Sequence, residues 1–309
     1  MIGSSGNWVI ELVHRVQSRD QFPNQLPNYP ITRLPDSRPP AAIGRRARLE
    51  LVFARRGGRT VVAHAYAEPP LRVGPTFDID DAVYVIVVCT GPGVFGGDAL
   101  SVRVTVEPGA RAILTSQSAL QAHPGGGVAM LEQVYRVAHE GELHCHWDPL
   151  IPFAGARVAQ RFEIQADEGS RVYWSDALMS GRTSRGEMWR FDELRHDLAL
   201  RAPRAGYRER FRIRPAERDP TRRWIAGAAN YFATLVVHDA RVGCADADDL
   251  HRLLAEESGA AAGADLLGEG LLVARLTAAS GPPFARARAA ARAFTLDRIF
   301  HAPQFAGRK

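Results

Sequence analysis

The chain is 309 residues long, 46% hydrophobic and 24% charged, and its basic residues exceed its acidic ones by five. At roughly 150 residues per domain this allows one large domain or two smaller ones, and the composition excludes a wholly disordered or collagen-like chain. No apolar run approaches the roughly 18 residues of a membrane span, and no basic segment leading into an apolar run reads as a secretory signal. Cys89, Cys145 and Cys244 are far apart and odd in number, which fits no disulfide framework. A reducing, cytoplasmic setting is therefore expected. The pI of about 9.4 comes from arginine, since Lys309 is the only lysine. No basic stripe with interleaved aromatics is present, so neither nucleic acid nor membrane is an expected partner. Excess arginine favours acidic protein partners instead.

Residues 1–44 stand apart. Pro23, Pro27, Pro30, Pro35, Pro39 and Pro40 exclude a central strand or a long helix there. The stretch reads as an extended or disordered arm, with a short strand at 8–13. From residue 45 to 309 a single β-rich domain is expected. Apolar runs at 49–53, 60–66 and 83–88 are separated by Gly, Pro and acids, the pattern of many strands. Over 100–107, Leu100, Val102, Val104 and Val106 alternate with Ser101, Arg103, Thr105 and Glu107, so one face of a strand is buried.

Segments 102–116, 135–147 and 162–175 each read as strand, acidic turn with glycine, strand. Their glycines are Gly109, Gly141 and Gly169, spaced by 32 and 28 residues. Hairpins at that period predict helically wound, stacked β-sheets, a β-solenoid-like fold. The plainer alternative is that any all-β protein reuses glycine turns. Two α-helices close the chain, in an element spanning about 246–301. The first, 246–258, takes Asp246 as N-cap and sets Leu250, Leu253 and Leu254 on one side. The second, 282–301, opens with two prolines and places Phe284, Ala287, Ala291 and Phe294 opposite Arg286, Arg288 and Arg292. A strand at 271–276 lies between them.

No GxSxG elbow, P-loop, GxGxxG, HExxH or EF-hand loop occurs in the sequence. No catalytic residue is assigned, and an enzyme is not expected. Four stretches do stand out. In 90–100, Gly96 and Gly97 precede Asp98 at the start of a strand. In 113–120, Thr115, Ser116 and Gln117 end an apolar strand. Residues 146–162 form an extended segment with two prolines. In 178–189, Arg182 and Glu187 flank a glycine turn containing Gly186, after Gly181. A capping role for Asp98 and a local salt bridge for Arg182 and Glu187 are the bland readings.

These stretches, in this order, resemble the urease accessory protein D family (UreD, also called UreH). Its Gly-Gly-x-x-Gly-Gly-Asp-x-Leu motif is similar to 91–100, its Thr-Thr-Gln to 115–117, its Ile-Pro-Phe to 151–153 and its Gly-Arg-x-x-x-Gly-Glu to 181–187. Residues 268–280 resemble the family's last strand. Departures include Pro92 in the first glycine pair, Gln121 and His123 where Lys and Tyr are frequent, and His144 for a usual Glu.

The resemblance implies a non-enzymatic maturation factor that binds accessory protein F, and through it the GTPase accessory protein G. That assembly would dock on apo-urease and conduct nickel through a tunnel to its active site. No permanent cofactor is implied, only transient Ni²⁺. A hydrolase using Asp98 or Glu187 as base, or a β-solenoid interaction module unrelated to metal, are the rival readings.

Four residues are nickel-path candidates. Asp98 and Glu187 offer carboxylates beside glycine turns. His144 and His146 share one strand face and could share one divalent ion, since nickel takes nitrogen donors. For partner binding, Arg208, Arg210 and Arg212 alternate with Arg214 along 207–214 as a positive strip. Phe294 and Phe300, with Phe284 and Ile299, are the apolar residues the second helix could offer to a partner.

Overall fold

The structure, a computed structural model, describes residues 44–306. The expected strand at 8–13, and the arm apart from Gly44, lie outside these residues. Two hairpins come first: β1 (Arg46–Arg56) with β2 (Arg59–Ala67), and β3 (Leu71–Ile79) with β4 (Ala82–Cys89). Then follow β5 (Val94–Phe95), β6 (Ala99–Val106), β7 (Arg111–Ser116), β8 (Leu120–His123), β9 (Ala129–Val137), β10 (Glu142–His146), β11 (Leu150–Pro152), β12 (Arg157–Ala166) and β13 (Arg171–Met179). A small hairpin, β14 (Gly181–Arg182) with β15 (Glu187–Met188), precedes the long one, β16 (Glu193–Arg201) with β17 (Gly206–Ile213). The chain ends with β18 (Tyr231–His238), α1 (Cys244–Ala255), β19 (Ala260–Gly268), β20 (Leu271–Ala278) and α2 (Gly281–Phe294). No helix among the described residues is long and apolar enough to cross a membrane.

The described residues are mostly β with two α-helices, as expected. The strands form two large open sheets. The first runs β17-β16-β12-β9-β6-β1-β2, and the second β19-β20-β18-β13-β10-β7-β4-β3, with β5, β8 and β11 branching from it. The three repeats are not hairpins. Each glycine turn instead carries the chain from the first sheet to the second: β6 to β7, β9 to β10, β12 to β13. Equivalent strands of successive passes then pair in parallel. Antiparallel strands flank this parallel centre on the edges.

Period-2 alternation decides where the core lies. Leu100, Val102, Val104 and Val106 of β6 are buried, and they meet Val85, Leu114, Leu143 and Trp174 of the second sheet in one apolar cluster. The other face of the second sheet carries a second cluster. There Tyr173, Leu235 and Leu272 pack under Leu250 and Leu254 of α1 and Phe284, Ala287 and Ala291 of α2. The layers are thus sheet, sheet, helices.

Three expectations about the helices change. α1 begins at Cys244 with Gly243 as N-cap. Asp246 is its third residue, and its carboxylate accepts from the Gly243 N–H at 3.0 Å. In α2, Arg288 and Arg292 are buried with Phe284 rather than opposite it, because residues four apart share a helix face. Phe284, Ile299 and Phe300 are buried against the second sheet, and Phe294 is half-buried there. The sheet already covers the apolar face that was expected to meet a partner.

Candidate functional site

The motif loops converge at one corner of the fold. β5, β8 and β11 pair side by side there. Their ends place the rings of Phe95 and His123 4.6 Å apart, and those of His123 and Phe153 4.5 Å apart. A guanidinium caps each end of this column: Arg45 over Phe95 at 5.6 Å and Arg182 over Phe153 at 4.2 Å. Each guanidinium is paired with a motif carboxylate, Arg45 with Asp98 and Arg182 with Glu187.

Asp98 is buried and fully used. It accepts from the backbone N–H of Arg45 at 2.8 Å and of Phe95 at 2.9 Å, besides the Arg45 guanidinium. Burial opposes its charge, but these donors outweigh burial and hold the carboxyl below the usual range. Glu187 is held low chiefly by Arg182, and it also accepts from the Ala154 N–H at 2.8 Å. Both acids therefore anchor loops. The glycines permit close backbone approach. A Cβ on Gly96 would lie 2.6 Å from the Gly127 carbonyl oxygen, and one on Gly181 would lie 2.2 Å from that of Glu187. Gly97 and Gly186 have positive φ.

His144 and His146 share a face, but it is the face under the helices. His144 is buried against Phe300 and Phe305, and its Nε2 lies 2.6 Å from Glu142. Burial would raise Glu142; His144, Arg111 and Arg171 override it and bring the carboxyl down to about 2. His146 Nδ1 lies 3.2 Å from the Tyr173 hydroxyl. No group of three or more His, Cys, Asp or Glu among the described residues is arranged to hold a metal ion.

The arginine strip of β17 lies on the outer face of the first sheet. Asp197 pairs with Arg208 and Arg210, and Glu193 with Arg212 and Arg214, so neighbouring acids neutralise the strip only in part.

Between the sheets lie two cavities. One, of about 190 Å³, is walled by Trp189, Phe211 and Phe232 and floored by His196, Glu209 and Thr234. The other, of about 180 Å³, runs from Gly91, Pro92 and Gln117 inward past Ser116 and Asp148. They share Gln160, Asp176 and Ala177. Asp176 of β13 faces His196 of β16 across the gap, Oδ2 to Nδ1 3.8 Å. Burial, only partly offset by His196, pushes Asp176 up to about 6. Glu209 accepts from the Tyr207 hydroxyl at 2.7 Å and the Thr234 hydroxyl at 3.0 Å. His196 Nε2 has no hydrogen-bond partner. The lining that the two cavities share thus carries polar groups, while their other walls are largely apolar.

A family model described as "UreD urease accessory protein" matches residues 45–308. The chain belongs to the UreD urease accessory protein family. A UreD of Deinococcus radiodurans is 30% identical over 254 residues, covering 79% of this chain and 88% of that protein. A UreD of Sorangium cellulosum is 34% identical over 187 residues, 57% of this chain but only 59% of that relative's length. One from Anaeromyxobacter sp. is 30% identical, over 77% and 82%.

Within this UreD chain, Thr115 donates to the His146 carbonyl at 2.7 Å, and Gln117 lines the mouth of the second cavity. Asp176, His196 and Glu209 were not singled out by the sequence. The signal was present: each is a charged or polar residue at an inward position of an otherwise apolar strand face, where an unpartnered group is costly.

Proposed function

We propose that this UreD chain is a non-enzymatic maturation factor of urease and that the passage between its sheets carries nickel. In this reading it works in a complex with accessory proteins F and G, docks on apo-urease and holds Ni²⁺ only in transit. Its family membership supports the link to urease. The observation that carries the conduit is that two inter-sheet cavities share Asp176 in their lining. The parallel strands, read as the coils of a short β-solenoid, hold those sheets apart.

A bare divalent ion cannot cross an apolar cavity, because the desolvation cost is prohibitive. Cavities of this size have room for several waters at roughly 10–30 Å³ each. A hydrated ion would meet one carboxylate and one imidazole at the waist. Two such donors bind nickel far less tightly than a closed site with several thiolates, so the ion can leave. The hydrolase reading loses support, because arginines hold both Asp98 and Glu187 ionised, whereas a general base needs a pKa near the working pH.

The test is co-expression of urease and its accessory proteins with Asp176→Asn UreD. The expected result is a normally assembled complex that leaves urease low in nickel and activity. Full activation by this variant would remove Asp176 from the path.

A further inference from the structure

Arg288 is buried on the helix side of the second sheet, yet it makes no ion pair with a carboxylate among the described residues. Its Nη2 donates to the Trp147 carbonyl at 2.9 Å and to the Ser175 hydroxyl at 3.0 Å, and its Nε has no partner. Burying a guanidinium this way is costly, so its placement calls for a reason. The two acceptors supply one. Trp147 immediately precedes Asp148 and Ser175 immediately precedes Asp176, the two acids that line the inner cavity. The pairing of β10 with β13 ends at His146 and Ser175, and that of β11 with β13 resumes only at Leu150 and Leu178. Between them Pro149 offers no N–H, and the connecting segment that carries Asp148 departs from the ladder. Arg288 spans this gap from behind.

We propose that Arg288 is a positioning residue that fixes the spacing of Asp148 and Asp176 across the nickel passage, from the opposite face of the sheet. This rests on the conduit reading given above. One guanidinium holds the backbone before one acid and the side chain before the other, so neither strand can shift alone. Ser116 completes the fixing of Asp148, donating to its carboxylate at 2.9 Å and accepting from its N–H at 2.8 Å. α2 thereby reaches the cargo path without touching it.

The test uses the full chain with accessory protein F, Ni²⁺ alone as probe, and the variants Arg288→Met and Arg288→Lys. Two readouts are needed. Without metal, hydrogen exchange at the Asp148 and Asp176 amides should rise at least tenfold in Arg288→Met, and Arg288→Lys should restore part of the protection. With metal, Arg288→Met should weaken Ni²⁺ binding about tenfold, and this loss should vanish in an Asp148→Asn/Asp176→Asn background. Unchanged exchange, or tighter Ni²⁺ binding after loss of the charge, would overturn the positioning role. Wild-type protein whose Ni²⁺ binding ignores Asp176→Asn would instead overturn the conduit, and the exchange readout would still decide the clamp.

Discussion

Asp176 and His196 stand 3.8 Å apart although they belong to different sheets, so this ionisable pair is made by the packing of the two sheets and by neither alone. Among the described residues no third metal-binding side chain joins them. That incompleteness suits a site of passage, where a full coordination shell would hold the ion.

The raised pKa of Asp176 has a thermodynamic signature. Burial brings the carboxyl up to about 6, so the folded chain binds this proton more tightly than the unfolded one. Such a group lends stability at pH values below its unfolded range and loses it as pH rises through 6. Asp176→Asn removes the burden of the charged form. The variant should be more stable than wild type by roughly 2–3 kcal/mol at pH 8, taking about 1.4 kcal/mol per pH unit. The gap should close between pH 6 and pH 4. Urea unfolding at these pH values measures it, and an equal gap throughout would place the raised pKa elsewhere.

Asp98 should behave as an anchor. Removing its carboxylate leaves the Arg45 and Phe95 N–H groups without their acceptor, at a cost of about 2 kcal/mol. Asp98→Ala UreD should show a lower urea midpoint and fail to assemble with accessory protein F. Normal assembly with nickel-poor urease would return this carboxylate to the cargo path.

Phe300 is 2% exposed and packs edge-on to His144. Phe300→Ala should cost about 3–5 kcal/mol of stability in the isolated chain. Its binding to partners, per folded molecule, should be unchanged. A stable variant with lost partner binding would put the ring back at an interface.

The strands were legible because alternation is a local property: Leu100 to Val106 needs no knowledge of the partner strand. The assignment of β6 and β7 to different sheets was not legible, since one Gly109 turn serves a hairpin or a crossing equally well. The same limit applied to Arg210 and Arg212. Their shared face could be read from the sequence, but Asp197 and Glu193, which pair with them, arrive through the register of β16 with β17. At Arg288 the charge points outward in the sequence, but its position four residues after Phe284 sets its face. Asp176 is hard to see in the sequence because the rest of its strand face is apolar. A single acid at an inward position, two residues after the fully buried Trp174, was the stronger clue.

The ring at position 123 fills a slot bounded on both sides. It has a phenyl 4.6 Å away on one side and another 4.5 Å away on the other, and its Nε2 donates to the Pro92 carbonyl at 2.8 Å. The slot therefore selects for a flat ring with a polar edge, and a histidine supplies both. By the same measure a leucine here, though apolar and of similar bulk, would part the loops that carry Phe95 and Phe153.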